Sequence, residues 1–490
     1  MNPLEQTCHR FADRTALISR GMRISYANLQ TLVDLRLRLL DDLQANRVAC
    51  QLDNGIDWVV NNLALLFSGR TTIPVPHFFS PAQRDHVLSD SGADVFIGSH
   101  SPGSAWQGAA HPGIWRRRES VPVRLPPGTA LITYTSGTTG QPKGVCLGVD
   151  TLVDTARSVV DVLSPVAIEH HMSVLPLSLL LENVAGLLAN LFNGGATVVE
   201  PLADVGISGS SGLDLSKFVA AQNSVQPHSL ILVPQLLLAL TTAAELGMAL
   251  PVSYRFVAVG GARVAPDLLS RARKVGIPAY EGYGLTECGS VVSLNVPGAD
   301  RPGSVGRPLP HTRIACRDGE IVVRRPSHLG YAGSGEGAPD TVATDDLGEL
   351  DDDGYLYVRG RRRHHYITAY GRNISPEWVE SELTSELAIG QAAVFGEGAP
   401  VNVALLVPRM NADAGAIRDA VARCNARLPD YARVHAWQTV DPHTFSAAGC
   451  LTDNGRVRRD RVLSHYPQIL ERLFETAAGL PTDQPSKEYS

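Results

Sequence analysis

Short apolar runs alternate with helix-spaced segments through the first two-thirds of this chain, and that pattern leaves few ways to fold. Residues 29–43 carry helical apolar spacing, residues 48–51 read as a strand, 58–67 as a helix and 72–75 as a strand that ends at Pro76. The same order returns later. Residues 229–233 read as a buried strand, 235–246 as a helix, 256–259 as a strand ending in Gly260 and Gly261, 266–275 as a helix and 277–280 as a strand. Such alternation predicts an α/β architecture built on parallel sheets. Residues 102–127, rich in Pro, Gly and Arg, and the Ser/Gly-rich residues 206–212 are expected as loops. From residue 314 the texture changes to short strands and turns, and after Arg361, Arg362 and Arg363 it becomes a compact α+β pattern.

With 490 residues the chain exceeds one ordinary domain, and 44% apolar against 19% charged residues is enough to build large cores. The net charge of -6 and the 6% aromatic content argue against nucleic acid as a partner, since such proteins present basic, aromatic-studded surfaces. Seven scattered cysteines with no CxxC pair predict reduced thiols. The start lacks a signal pattern, and the most apolar stretches are interrupted by Glu182, Asn183, Asn190 and Pro234. No transmembrane segment is expected, and a cytoplasmic location is. Lysine is rare. Lys143, Lys217, Lys274 and Lys487 stand against 39 arginines, so a lysine that persists marks a place where an ammonium is wanted.

Lys143 stands at such a place. A strand-like run over residues 130–134 leads into Thr135, Ser136, Gly137, Thr138, Thr139, Gly140, Gln141, Pro142, Lys143 and Gly144. Hydroxyls, glycines and one ammonium after a strand suit a polyphosphate, because glycine lets backbone N–H groups approach the oxygens closely. The competing reading is a plain surface loop. Pro142 directly before the lysine excludes a Walker A loop.

The run from Tyr134 to Gly144 resembles the signature of the adenylate-forming superfamily, which includes acyl-CoA synthetases, and further blocks follow in the family's order. Gly282, Tyr283, Gly284, Leu285, Thr286 and Glu287 are similar to its second core block. The resemblance implies that Tyr283 stacks on adenine, Thr286 contacts phosphate and Glu287 holds Mg2+. Gly261 and Ala262 resemble the wall of the adenine pocket. Thr344, Asp345 and Asp346 resemble a Thr-Gly-Asp block whose aspartate, here Asp346, binds ribose. Arg361 matches an arginine that contacts the nucleotide, Arg363 the hinge position, and Gly371 the glycine beside which a pantetheine arm passes. His364 and His365, like His170 and His171, read as structural.

The resemblance implies a large multi-sheet N-terminal domain of adenylate-forming type over residues 1–359. A hinge at 360–363, a small mobile α+β domain over 364–480 and a loose tail over 481–490 complete the expectation. It implies ATP, Mg2+ and coenzyme A as cofactors and a carboxylic acid as substrate, turned first into acyl-AMP and then into a thioester. An acyl carrier protein is the alternative acceptor.

Three positions depart from the family pattern. Arg456 stands where a C-terminal lysine bridges substrate and nucleotide, so the chain is expected either to use Arg456 for that task or to be a catalytically impaired binder. Asp345 replaces a glycine. Leu179 replaces a histidine in a block, residues 175–183, that resembles medium- and long-chain fatty acid enzymes. The leucines there suit an aliphatic tail, and no aspartate matches the one that pairs an amino-acid amine.

Overall fold

A computed structural model describes residues 1–135, 142–209, 212–325, 328–334, 337, 339–409, 412–452, 455–478 and 487–489. Two large sheets form the body of the first domain. In one, the strands Thr71–Pro74, Arg47–Gln51 and Val95–Gly98 lie parallel, with Ala49 opposite both Ile73 and Phe96. In the other, Ser229–Leu232, Phe256–Val259 and Ala279–Leu285 run parallel in the order of the sequence. The strands Thr71–Pro74, Val95–Gly98 and Ser229–Leu232 are buried at every position, which is how inner strands covered on both faces by crossovers must be composed.

The helices between them carry ordinary start signals. Ser25 accepts the Asn28 N–H at the head of Tyr26–Asp42, and Ser80 and Gln83 form a capping box ahead of Pro81–Asp90. A third sheet, antiparallel, includes Glu320–Arg325, Val342–Leu350 and Leu356–Arg361 and carries the chain to the second domain.

Two segments expected as loops contain strands. Trp106–Gly108 and Ile114–Arg117 pair antiparallel within residues 102–127. Trp106 is buried, its ring meets Phe96 edge-on at 6.1 Å, and Arg117 lies over it at 5.3 Å. One aromatic anchor thus overrode a polar, proline-rich composition. Ile207–Ser208 likewise pairs with Gly212–Leu213.

In the second domain, Ile389–Phe395 and Asn402–Pro408 pair antiparallel and Val434–Thr439 adds in parallel. Alternate residues face two cores. Ala404 and Leu406 join one with Trp437, while Val403, Leu405 and Val407 join the other with Phe445. Lys487–Tyr489 pairs parallel with Val434–Thr439, so this end of the expected tail lies along an edge that would otherwise offer unpaired backbone groups. Among the described residues no helix is long and apolar enough to cross a membrane.

Candidate active site

Between the two domains lies a cleft of about 3010 Å³ that extends into the first domain. The stems of the Ser/Thr/Gly loop open onto it. Thr129–Thr135 and Lys143–Gly148 pair antiparallel, with Tyr134 opposite Gly144 and Thr135 opposite Lys143. Ser136, Gly137, Thr138, Thr139 and Gly140 lie outside the described residues.

Both stems are gripped by the helix Pro81–Asp90. The Tyr134 hydroxyl donates to Asp90 Oδ2 at 2.8 Å, and His86 Nε2 meets the Pro142 carbonyl at 2.9 Å. A carbonyl only accepts, so His86 carries its proton on Nε2. Gly144 has to be small, because a Cβ there would lie 2.9 Å from the Tyr134 ring.

On the other side of Lys143–Gly148, Gly330–Tyr331 pairs as a short strand, and Ala332 N–H donates to the Gly144 carbonyl at 2.8 Å. This places Tyr331 beside the site. The Lys143 ammonium stands 6.0 Å from its ring centroid, and its hydroxyl donates to Glu287 Oε1 at 3.4 Å. Thr286 and Glu287 begin a 3-10 turn after Ala279–Leu285, and both line the cleft. Lys143, Tyr331 and Glu287 therefore form one group drawn from three distant stretches of chain.

A second group surrounds Asp346. Its Oδ2 accepts the Tyr283 hydroxyl at 2.6 Å, and Arg361 Nε stands 3.2 Å from its Oδ1. Arg361 faces Asp346 directly across the hairpin of Val342–Leu350 and Leu356–Arg361. Burial holds the Asp346 carboxyl above its ordinary pKa, against the opposing pull of Arg361 and Tyr283. The Tyr283 phenol is pushed up by burial and by the carboxylate beside it.

Arg456 reaches this group from the second domain. One of its Nη atoms donates to the carbonyl of Gly261 in the first domain. The residue is exposed by solvent-accessible area, yet the cleft walls around its guanidinium desolvate it, and that with repulsion from Arg361 lowers its pKa, while Asp346 opposes them. Gly261 has φ +81° and Ala262 follows it, so the chain turns here with its backbone turned to the cleft. Below them Glu281, 8% exposed, is pushed up to about 7 by burial, with the Val264 N–H and Arg263 opposing.

The departure at Asp345 has a conformation of its own. Asp345 has φ +62°, the left-handed region where a glycine sits without strain. Its carboxylate pairs with Arg363 Nε at 3.1 Å and lies 3.6 Å from Arg362 Nε. Arg362 also pairs with Glu320 at 2.9 Å.

Gly371 has φ +72° on an exposed turn with open space around it, and it does not line the cleft. Leu175, Leu179, Leu180 and Leu181 line the cavity, whereas Leu177 packs into the core. His171 is held between Ser229 Oγ at 2.9 Å and Glu182 Oε1 at 2.8 Å, His170 stacks on His228, and His364 pairs with Glu377.

Sequence reading missed Tyr331, His86 and Asp90. None belongs to a recognisable run, and only strand pairing and a neighbouring helix bring them to the loop.

A loop stem carrying Lys143, a buried aspartate with a tyrosine and an arginine on it, and a cation from a second domain thus meet at one cleft. The chain belongs to the AMP-binding enzyme family, in the adenylate-forming acyl-CoA ligase superfamily. That family matches residues 4–330, and the AMP-binding enzyme C-terminal domain matches residues 365–478. The chain is 27% identical to an oxalate–CoA ligase of Arabidopsis thaliana, over 80% of this chain and 84% of that one. It is 26% identical to the long-chain-fatty-acid–CoA ligase FadD15 of Mycobacterium bovis, over 71% of each. In structure it is similar to the O-succinylbenzoate coenzyme A synthetase of Bacillus subtilis in complex with ATP and magnesium. There the TM-score is 0.72 at 24% identity, covering 94% of this chain and 98% of that one.

Proposed function

We propose that this protein is an AMP-forming acid–thiol ligase that activates a medium- or long-chain fatty acid with ATP and transfers the acyl group to coenzyme A. The observation that carries the reading is the convergence on one cleft of Lys143, Tyr283, Asp346 and Arg456.

Tyr283 offers a ring to adenine, and the Asp346 carboxylate accepts the ribose hydroxyls while Arg361 holds it in place. Lys143 and Thr286 face the phosphates, with Thr135, Ser136, Gly137, Thr138, Thr139 and Gly140 as the loop around them. Glu287 is a hard oxygen donor held by Tyr331, which fits Mg2+ bound together with the nucleotide phosphates. That ion would neutralise charge on the phosphates.

In the first step a carboxylate oxygen of the acid attacks the α-phosphorus. The bond to the bridging oxygen breaks, and pyrophosphate leaves with its electron pair. Arg456 is placed to offset the charge that gathers between acid and nucleotide, work that needs position and charge more than a proton relay. In the second step the thiol, losing its proton, attacks the acyl carbon and AMP departs. Gly371 would serve this step. Its position away from the cleft here corresponds to the first step, in which Arg456 occupies the cleft.

Support for an apolar acid comes from the apolar part of the cleft lining, which includes Val159, Val160, Leu163, Leu230, Phe256 and Leu294 alongside the polar His171 and Asn190. Each methylene buried against such a wall gains about 0.8 kcal/mol. The named relatives act on acids as unlike as oxalate and long-chain fatty acids, so the preference for an oily acid rests on this lining.

Exchange of labelled pyrophosphate into ATP, measured with a panel of acids, tests the reading. Exchange that rises with chain length, followed by acyl-CoA formation, is expected. Nucleotide binding without exchange for any acid would show an impaired binder, and acyl transfer to a carrier protein alone would replace coenzyme A as acceptor.

A further inference from the structure

Arg456 stands on a loop, and something must hold that loop against the nucleotide site. Internally it is closed by Thr452, whose hydroxyl accepts the Arg456 N–H at 3.0 Å and whose own N–H donates to the Arg456 carbonyl at 2.7 Å. Leu451 and Val457 bridge as in a tight hairpin, and Arg458 N–H donates to the Cys450 carbonyl at 2.8 Å. These bonds fix the shape of the loop but not its place. Its place depends on its two ends. Cys450 is fully buried in the core of the small domain. The other end is Arg459, the first residue of the helix Arg459–His465.

Arg459 reaches back into the domain with both terminal nitrogens. One pairs with Glu380 Oε1, and the other donates to the Val394 carbonyl at 2.8 Å. The same Glu380 oxygen accepts the Val394 N–H at 2.7 Å. Both side chains are only 13% exposed, and the Arg459 guanidinium lies 5.8 Å from the Phe395 ring centroid. A pair so enclosed, with its geometry also tied to backbone, resists displacement far more than a surface pair does. Glu380 belongs to Pro376–Thr384, the first helix after the hinge, which packs against the large-domain strand Leu356–Arg361. That strand carries Arg361, the partner of Asp346.

We infer that Glu380 and Arg459 are positioning residues for Arg456. The pair fastens the arginine loop to a small-domain helix that abuts the nucleotide-holding hairpin, so the distance from Arg456 to the nucleotide is set through Glu380. The inference rests on the proposed role of Arg456 in acyl-AMP formation. It makes a demand that a purely structural ion pair does not, because loosening it must harm the step that uses Arg456 and spare the one that does not.

The test compares the two half-reactions in the full-length protein. Glu380→Gln and Arg459→Lys are assayed for pyrophosphate exchange, and separately for thioester formation from a synthetic acyl adenylate and coenzyme A. A displacement of a reacting group by about 1 Å can cost a hundredfold, so exchange is expected to fall at least about tenfold while the thioester step stays within about threefold. The double variant should be no slower than the slower single one. Equal loss in both half-reactions, or unchanged exchange, overturns the inference. Should Glu380→Gln fail to fold, the ratio measured in Arg459→Lys decides alone. Absence of exchange in the wild type would sink the proposed function itself, a result distinct from either outcome in the variants.

Discussion

The two walls of the cleft are put together on different plans. On the large-domain side, Tyr283, Asp346 and Arg361 hold one another by direct bonds, and Tyr331 ties Glu287 to the neighbourhood of Lys143. Among the described residues, those contacts are made by the protein's own side chains. The small-domain side presents Arg456 on a loop whose placement depends on contacts made elsewhere in its own domain and on one bond to Gly261. A preorganised wall suits nucleotide binding, where the partner is always the same. In the proposed reaction, an arm on a separate domain can be withdrawn once acyl-AMP has formed, leaving room for a thiol. Binding should therefore belong mainly to the first wall, and the chemistry of activation to the meeting of the two.

The sharpest way to break this contrast is to remove one cation from each wall. Lys143→Ala and Arg456→Ala should each lower pyrophosphate exchange by about a hundredfold or more, the scale of losing one charge-stabilising group. They should differ in ATP affinity by calorimetry, which Lys143→Ala weakens and Arg456→Ala leaves nearly unchanged. Equal loss of affinity in both would merge the two walls into one. Unchanged exchange in Arg456→Ala would refute its role.

Gly371 sharpens the contrast from the other side. At φ +72°, leucine is strained, and it stands away from the cleft where Arg456 works. Gly371→Leu should cut thioester formation from a supplied acyl adenylate about tenfold or more, with exchange altered little.

Beneath the first wall, Glu281 supplies a test by pH. Its carboxyl is raised from 4.5 to about 7 by burial, so between those values the folded chain holds a proton that the unfolded chain has released. Stability from this group is present below pH 4.5 and is lost as pH rises through about 7, amounting to at most about 3 kcal/mol. Glu281→Gln should flatten that fall in thermal midpoints measured from pH 5 to 8, a range set by the same two values. The smallest effect is expected at Asp345. Asp345→Gly removes the pairing with Arg363 but also the strain of φ +62°, so stability should change by less than about 1 kcal/mol in urea unfolding.

How far the sequence could be read follows from range. Parallel strands such as Ser229–Leu232 were visible because burial on both faces demands an unbroken apolar run. Trp106–Gly108 was not, because its pairing depends on one aromatic meeting Phe96. The site divides the same way. Lys143 sits in a local run whose composition suits phosphate, and Tyr283, Thr286, Glu287 and Asp346 sit in short runs that resemble the blocks of a known family. Tyr331 and His86 sit in ordinary text and matter only through what they touch. Asp345 looked like a lost glycine, and the fold shows a residue in the glycine conformation with its carboxylate on Arg362 and Arg363.

By itself, then, the sequence determined the alternating α/β plan, the loop that opens after Thr135, and the arginine that stands where a lysine is expected, since each is written within a few consecutive residues. Only the tertiary structure decided that Arg456 meets Gly261 across the cleft, that Tyr331 joins Lys143 to Glu287, and that Glu380 holds Arg459. Those contacts join residues far apart in the chain, and their partners are chosen by packing and burial, which no local pattern encodes.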